Sequence, residues 1–458
     1  MADSPRILFV SVFHPELVRG GAQQTAYELF LGARKAGLDA IFLASCEPNI
    51  APALFKPGAI VTGFDGRPNE YLFLSDSFEH GWYRNVNIRA LTWFAEFLRD
   101  MKPDVVHFHH FMTIGLDMFL LARRVLPDAK LVLTLHEFLA ICKADGHMVR
   151  RNDRTLCQKA SPVRCHQCFP DISPEMFQLR EDWVRHAMSV FDAFIAPTDF
   201  VRRRYLSWGL PDEKLHVVTN AQADYSHQDF RVPFLRQTQS HVPNRFGFFG
   251  QLVDNKGLGV VFDALELYAK TYTDPITLDI SGANLNYASE KFRERFNSFL
   301  AEAKSLEPLI KITYHGSYSM ADLPTRMSRI DWVIVPSVWW EIFALVLSEA
   351  YMFRRPPVVS NIGGVGERVR HDIDGLLFDV GDATSLMQTF HRCVTEEGLH
   401  ARLAAASPGV PPVLDVVEAH CAVYGVPMPG AEPVEEPSAP SAAPAAPRAK
   451  RKAAAPAS

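Results

Sequence analysis

No run of eighteen apolar residues occurs in the chain, so no stretch reads as a membrane-spanning helix. Met1 to Arg6 carries neither the charged nor the apolar region of a secretory leader and passes directly into a strand pattern. Cysteine is scarce and odd in number, seven in 458 residues, which argues for free thiols or metal ligation over a disulfide framework. Positive charge is not in excess: the net charge is −5, which gives no ground for nucleic acid as a partner. The first glycine turn has no G-x-G-x-x-G, and no second copy supplies it, so a dinucleotide dehydrogenase is disfavoured. A cytoplasmic protein is the expectation. With 48% hydrophobic and 22% charged residues, the chain has material for large cores, and its length suits two domains of roughly 200 residues and a tail.

The pattern along the chain is strand and helix in alternation. Arg6 to Val12 (RILFVSV) is a continuous apolar run, as a parallel strand buried on both faces requires. Gly20-Gly21 and a helical pattern from Gln23 to Ala36 follow, and Leu38 to Ser45 reads as the next strand. Residues 70–99, rich in aromatics, read as mostly helical with loops. Further strands are expected at 104–108, 130–135, 193–197 and 215–219. A second series opens at Arg245 to Gly250 and continues with strands at 276–281, 310–315, 332–335, 357–360 and 376–378. The fold class is therefore α/β, with two doubly wound sheets and a cleft between them. The expected division is 1–225, a linker at 226–244, 245–410, a helix within 411–428 that returns to the first domain, and a disordered Ala/Pro-rich tail at 429–458. The tail's basic cluster, Arg448 to Lys452, reads as solvated.

Within the second series, the stretch PSVWWEIFALVLSEA (Pro336 to Ala350) places Glu341 and Glu349 eight positions apart. At ~100° per helical residue they would stand about 80° apart if both were helical. Glu341 is therefore expected in the loop before the helix and Glu349 on it, each serving a different part of one ligand. Such a strand–loop–helix start exposes N–H groups and a positive helix end to phosphate.

Six motifs in order carry a resemblance: Gly20-Gly21-Ala22-Gln23, PDVVHFHH (Pro103 to His110), TLHE (Thr134 to Glu137), GQLVDNKG (Gly250 to Gly257), the two Glu, and SNIGGVGE (Ser360 to Glu367). With them, roughly residues 6–425 resemble the retaining glycosyltransferases of family 4, which have the GT-B architecture of two Rossmann-like domains facing each other. The resemblance implies transfer of a sugar from a UDP- or GDP-type nucleotide sugar to a saccharide or lipid-linked acceptor, with no cofactor required for catalysis. It puts Glu341 and His136 at the donor sugar and Glu349 on the ribose. It puts Gly20, Gly21, Gln251, Lys256 and the backbone of Ile342, Phe343, Ala344 and Leu345 around the diphosphate. The chain departs from the family at Gln251, where Arg is usual, at Ala344, where Gly is usual, and at Arg354-Arg355 in place of small residues. Two other readings stay beside the transferase: a nucleotide-sugar epimerase or hydrolase of similar fold, and a catalytically weak nucleotide-sugar-binding module. Acceptor contacts are expected from the aromatic stretch Tyr71 to Phe97 and the basic runs Arg150 to Arg154 and Arg202 to Arg204. The same runs suggest peripheral contact with the inner face of a membrane.

Two clusters of metal-type residues remain. His107, His109 and His110 read as acceptor contacts or packing. Cys142, Cys157, Cys165 and Cys168 lie in a polar loop too long to order without a clip, and the last two form a C-x-x-C. A tetrahedral structural zinc site is the first reading, with free thiols, disulfides or an iron–sulfur cluster as alternatives. Cys46, Cys393 and Cys421 read as small core residues.

Overall fold

The computed structural model describes residues 4–223 and 242–429, so nearly all of the expected linker and the basic tail lie outside the described residues. The first lobe is an eight-stranded sheet. Its order is Leu215–Val217, Ala193–Ala196, Lys130–Thr134, Val105–Phe108, Arg6–Ser11, Asp39–Cys46, Glu70–Leu74 and Val61–Gly63. All neighbours are parallel except the last pair. Continuous apolar strands such as VVHF and AFIA are buried along their whole length, because helices cover both faces. The second lobe is a six-stranded parallel sheet ordered Ile310–Tyr314, Ile276–Ala283, Arg245–Gln251, Trp332–Val335, Pro357–Ser360 and Leu376–Phe378.

The sequence reading of residues 70–99 is corrected by the structure. Glu70–Leu74 is a strand, two-residue strands pair at Phe78–Glu79 and Arg84–Asn85, and the helix is confined to Ile88–Met101. EYLFL is short, and Glu70 is buried to meet His14 Nε2 at 2.9 Å, so its pattern lacks a clean alternation. The aromatics of this stretch fill the core: Phe73, Phe94 and Phe97 are buried, and Tyr71 packs on Phe97 at 5.1 Å. Phe78, Trp82 and Trp93 of the same stretch are only partly buried.

The helix Val413–Tyr424 lies against the helix Gly21–Lys35 of the first lobe. Gly32 permits the approach: a Cβ there would stand 2.7 Å from Val413 Cγ2 and 2.9 Å from Val417 Cγ2. Val413, Val416, Val417 and Tyr424 enter the same buried cluster as Ile7, Phe9 and Phe42, each side chain contributing roughly 1.5–3 kcal/mol. Among the described residues no helix is long and apolar enough to cross a membrane.

Candidate functional site

The buried strand Trp332–Val335 ends at Pro336, which has no N–H with which to continue a ladder. The chain then loops to Ala344, and the helix Leu345–Met352 begins. Glu341 lies in the loop and Glu349 on the helix. Ser360 Oγ steadies the loop by donating to the carbonyls of Ser337 (2.6 Å) and Val335 (3.2 Å).

Glu341 is 6% exposed. Its Oε2 accepts from Lys256 Nζ (2.8 Å), Ser337 Oγ (2.9 Å) and Trp339 Nε1 (3.0 Å). Burial pushes its carboxyl upward, but the Lys256 ammonium and the three donors outweigh this, and the net shift is downward. Glu341 is therefore a held, ionised carboxylate. Glu349, 8% exposed, has the opposite fate: burial alone pushes it up to about 7.

Between them the backbone is under strain. Ala344 has φ 54 and ψ 95, a positive-φ conformation that favours glycine. It is held there by Arg368, whose Nη1 donates to the Phe343 carbonyl (2.6 Å) and whose Nη2 donates to Ser348 Oγ (2.6 Å). The guanidinium lies 3.6 Å from the Phe343 ring centroid. Gly363 and Gly364 press on the loop from behind, as a Cβ would come within 2.4 Å of the Glu341 carbonyl and 1.9 Å of the Ile342 carbonyl, respectively. Gly364 N donates to the Glu341 carbonyl at 2.7 Å. Among the described residues no acceptor faces the backbone N–H groups of Ile342, Phe343, Ala344, Leu345 and Val346. Open backbone donors at a helix start are the kind of group to which anions bind.

The first lobe closes over this loop. Ile342 and Phe343 are buried in its core, and Thr198 Oγ1 donates to the Ile342 carbonyl at 3.1 Å. A Cβ at Gly21 would stand 3.7 Å from Leu345 Cδ1, so the first glycine turn faces the helix start. Gly20 is the extended residue before the helix Gly21–Lys35. Gln251 is exposed at the end of its strand, one residue after Gly250 at φ 150.

Two family models match successive parts of the chain. Glycosyltransferase Family 4 covers residues 19–221, and Glycosyl transferases group 1 covers residues 235–409. The chain belongs to glycosyltransferase family 4. Among its relatives, a glycogen synthase of Mycobacterium tuberculosis is 23% identical over 419 residues, covering 88% of this chain and 89% of that protein. Among solved structures, Anabaena HepE in complex with UDP and glucose superposes with a TM-score of 0.57 at 17% identity, covering 92% of this chain and 97% of that one. Sucrose-phosphate synthase from Thermosynechococcus elongatus gives 0.60 at 15%, covering 92% and 96%. These superpositions establish the GT-B fold.

Arg354-Arg355, where the resemblance expects small residues, is accommodated locally. Arg354 takes φ 51 after the helix, and Arg355 is buried with Nε donating to the Met327 carbonyl at 3.0 Å. Arg202 to Arg204 are not a free basic run: they pair with Asp199, Asp212 and Glu367 and with Gln158, and Arg204 lies over Trp340 at 4.2 Å.

His136 Nε2 meets His109 Nδ1 at 2.9 Å, and burial pushes His136 down to about 3, so it is a neutral ring at neutral pH. His107 is a packing residue, with its nitrogens at 2.7 Å from Tyr424 Oη and from Thr134 Oγ1. His110 Nδ1 accepts from the N–H groups of Phe111 and Met112, and Nε2 stands 3.7 Å from Glu137. Cys46, Cys393 and Cys421 are buried, and all seven cysteines are free thiols. Sequence reasoning missed Ser337, Trp339, Thr198 and Arg368. Ser337 and Trp339 lie within PSVWWEIFALVLSEA and Arg368 directly follows SNIGGVGE, but no spacing rule announces a tryptophan that donates to a carboxylate or an arginine that clamps a loop.

Proposed function

We propose that this glycosyltransferase is a retaining enzyme that moves a sugar from a nucleoside diphosphate sugar to a saccharide or lipid-linked saccharide acceptor. The observation that carries the reading is the run of five open N–H groups flanked by Lys256 and two carboxylates of different charge state. Breaking the bond between the sugar and the diphosphate leaves growing negative charge, which preset N–H donors and a cation stabilise. Lys256 has three N–H donors and spends one on Glu341, so two are available to phosphate. Gln251 adds a neutral donor, and Gly20 and Gly21 let the opposite backbone approach. Glu349, unpaired until ligand arrives, takes the ribose hydroxyls. Glu341 and His136 orient the donor sugar from either side.

The state of Glu341 fits a front-face retaining route, which needs no protein nucleophile. A carboxylate with one oxygen saturated by three donors and a lowered pKa is a poor nucleophile, but it stabilises positive charge at the anomeric carbon. The acceptor oxygen then attacks on the face that the diphosphate leaves. The sugar–phosphate C–O bond breaks, the new glycosidic bond forms, and the acceptor's proton passes to the departing phosphate oxygen. The complexes of HepE with UDP and with UDP-glucose support a donor of this chemical class.

The test is nucleotide release from UDP-, GDP- and ADP-sugars, with and without saccharide and lipid-linked acceptors. One donor should release nucleotide at a rate that rises with acceptor, and Glu341→Ala should lower that rate by ~10²–10³ while nucleotide still binds. Release that ignores acceptor would point to an epimerase or hydrolase. Normal turnover by Glu341→Ala would remove its assigned role.

A further inference from the structure

The segment from Cys142 to Cys168 joins the strand Lys130–Thr134 to the helix Pro174–Met188 with little regular structure of its own. It has one isolated antiparallel bridge, Val149 with Leu156, and the short helix Pro162–Cys168. Cys142 sits in a tight turn, its N–H bonded to the Phe138 carbonyl at 2.7 Å and its carbonyl to Gly146 N at 3.1 Å. Cys157 N donates to the Met148 carbonyl at 2.7 Å beside the bridge. Cys165 and Cys168 are three positions apart on the helix, which puts them on one face. Four thiols from three separate backbone segments thus line a single cavity of about 170 Å³, together with Arg150, Arg164, Phe169 and Phe177.

We propose that Cys142, Cys157, Cys165 and Cys168 form a structural site for one zinc ion. Four cysteines suffice for the closed tetrahedral site that zinc favours. The complex carries two net negative charges, and Arg150 and Arg164 in the same lining offset them. Among the described residues no three such side chains are already drawn to metal-binding distance, so the ion would gather the sulfurs by rotation about their Cα–Cβ bonds. Each thiol then gives up its proton, including the weak S–H bonds that Cys142 and Cys157 donate to the carbonyls of Ala144 and Lys159.

The site's position gives it a consequence across the lobes. Trp340 Nε1, next to Glu341 in the chain, donates to the Cys157 carbonyl at 3.1 Å. The His147 ring lies 4.9 Å from that of Trp339, and Asn255, beside Lys256, meets both His147 (3.2 Å) and Arg154 (3.3 Å). An ion here pins this long loop of the first lobe against the loop that carries Trp339 and Glu341 in the second. The metal itself does not depend on the functional reading, and its test uses no activity.

Metal analysis of the full chain, purified under reducing conditions and reconstituted with zinc, should give one zinc per chain. The Cys165→Ser/Cys168→Ser double variant should hold none. Cobalt(II) in place of zinc should give a thiolate charge-transfer band. The intact protein provides a second readout that no folding defect can blur. With zinc bound, the four thiols should resist a thiol reagent until a chelator is added. Failure of the reduced chain to take up zinc would overturn the proposal. So would retention of zinc by the double variant, four thiols whose reactivity ignores the chelator, or disulfides among these four in the native protein.

Discussion

Glu341 and Glu349 share one short stretch and one degree of burial, yet they ionise in opposite directions, because only Glu341 has a cation and three donors. Two residue-scale expectations follow. In Lys256→Met the buried Glu341 carboxylate loses its partner, which should cost ~1–3 kcal/mol at pH 7, allowing for the partial exposure of the lysine. Chemical denaturation measures this, and Lys256→Met/Glu341→Gln should recover most of it. For Glu349 the sign runs the other way. Below pH 4.5 the group is protonated whether the chain is folded or not and costs nothing. Between 4.5 and about 7 only the unfolded chain ionises, so stability falls as pH rises; above 7 the full penalty of ~3 kcal/mol is present. Glu349→Gln should therefore leave stability nearly unchanged at pH 4 and raise it at pH 8, while weakening nucleotide binding. Equal stability differences at both pH values would contradict this. That the two Glu fall on loop and helix was legible from their spacing. That one carboxyl would be shifted down and the other up was not legible, because Ser337, Trp339 and Lys256 reach Glu341 only in three dimensions.

At the scale of elements, the donor loop is held in an unfavourable conformation by its neighbours. Ala344 keeps a positive φ because Arg368 bonds the carbonyl before it and the double glycine of SNIGGVGE fills the space behind. Gly364→Ala would drive a Cβ into the Ile342 carbonyl, so the loop must move. A loss of about 2 kcal/mol in stability is expected, with a larger proportional fall in transfer rate than in nucleotide affinity. An unchanged rate would mean that the loop's position is not what the glycines protect. The continuous apolar strands of both sheets could be read directly from the sequence, since burial on both faces leaves an unbroken signature. Glu70–Leu74 could not, because it is short and opens on a buried glutamate tied to His14. Residues 70–99 were read as mostly helical for the same reason: the short strands at Glu70–Leu74, Phe78–Glu79 and Arg84–Asn85 give no clear pattern.

At the scale of the whole molecule, the loop before Leu345–Met352 sits where the two lobes meet. Ile342 and Phe343 belong to the second lobe by sequence and to the first lobe's core by packing, while Thr198 and Glu367 bond across the divide. The chain's return through Val413–Tyr424 ties the far end to the first lobe, where Tyr424 meets His107. Motif order in the sequence announced the fold and the list of candidate residues. Which of them touch across the cleft depends on contacts between residues more than a hundred positions apart, for which the sequence carries no local signal. The most direct test of the nucleoside diphosphate site is a binding titration of UDP, GDP and ADP beside uridine, guanosine and adenosine, on the wild type and on Lys256→Met. One diphosphate should bind about a hundredfold more tightly than its nucleoside, as one or two charge-assisted hydrogen bonds provide, and Lys256→Met should remove most of that difference. Nucleoside and diphosphate binding alike, or a preference that survives Lys256→Met intact, would contradict the phosphate cradle at Ile342 to Val346.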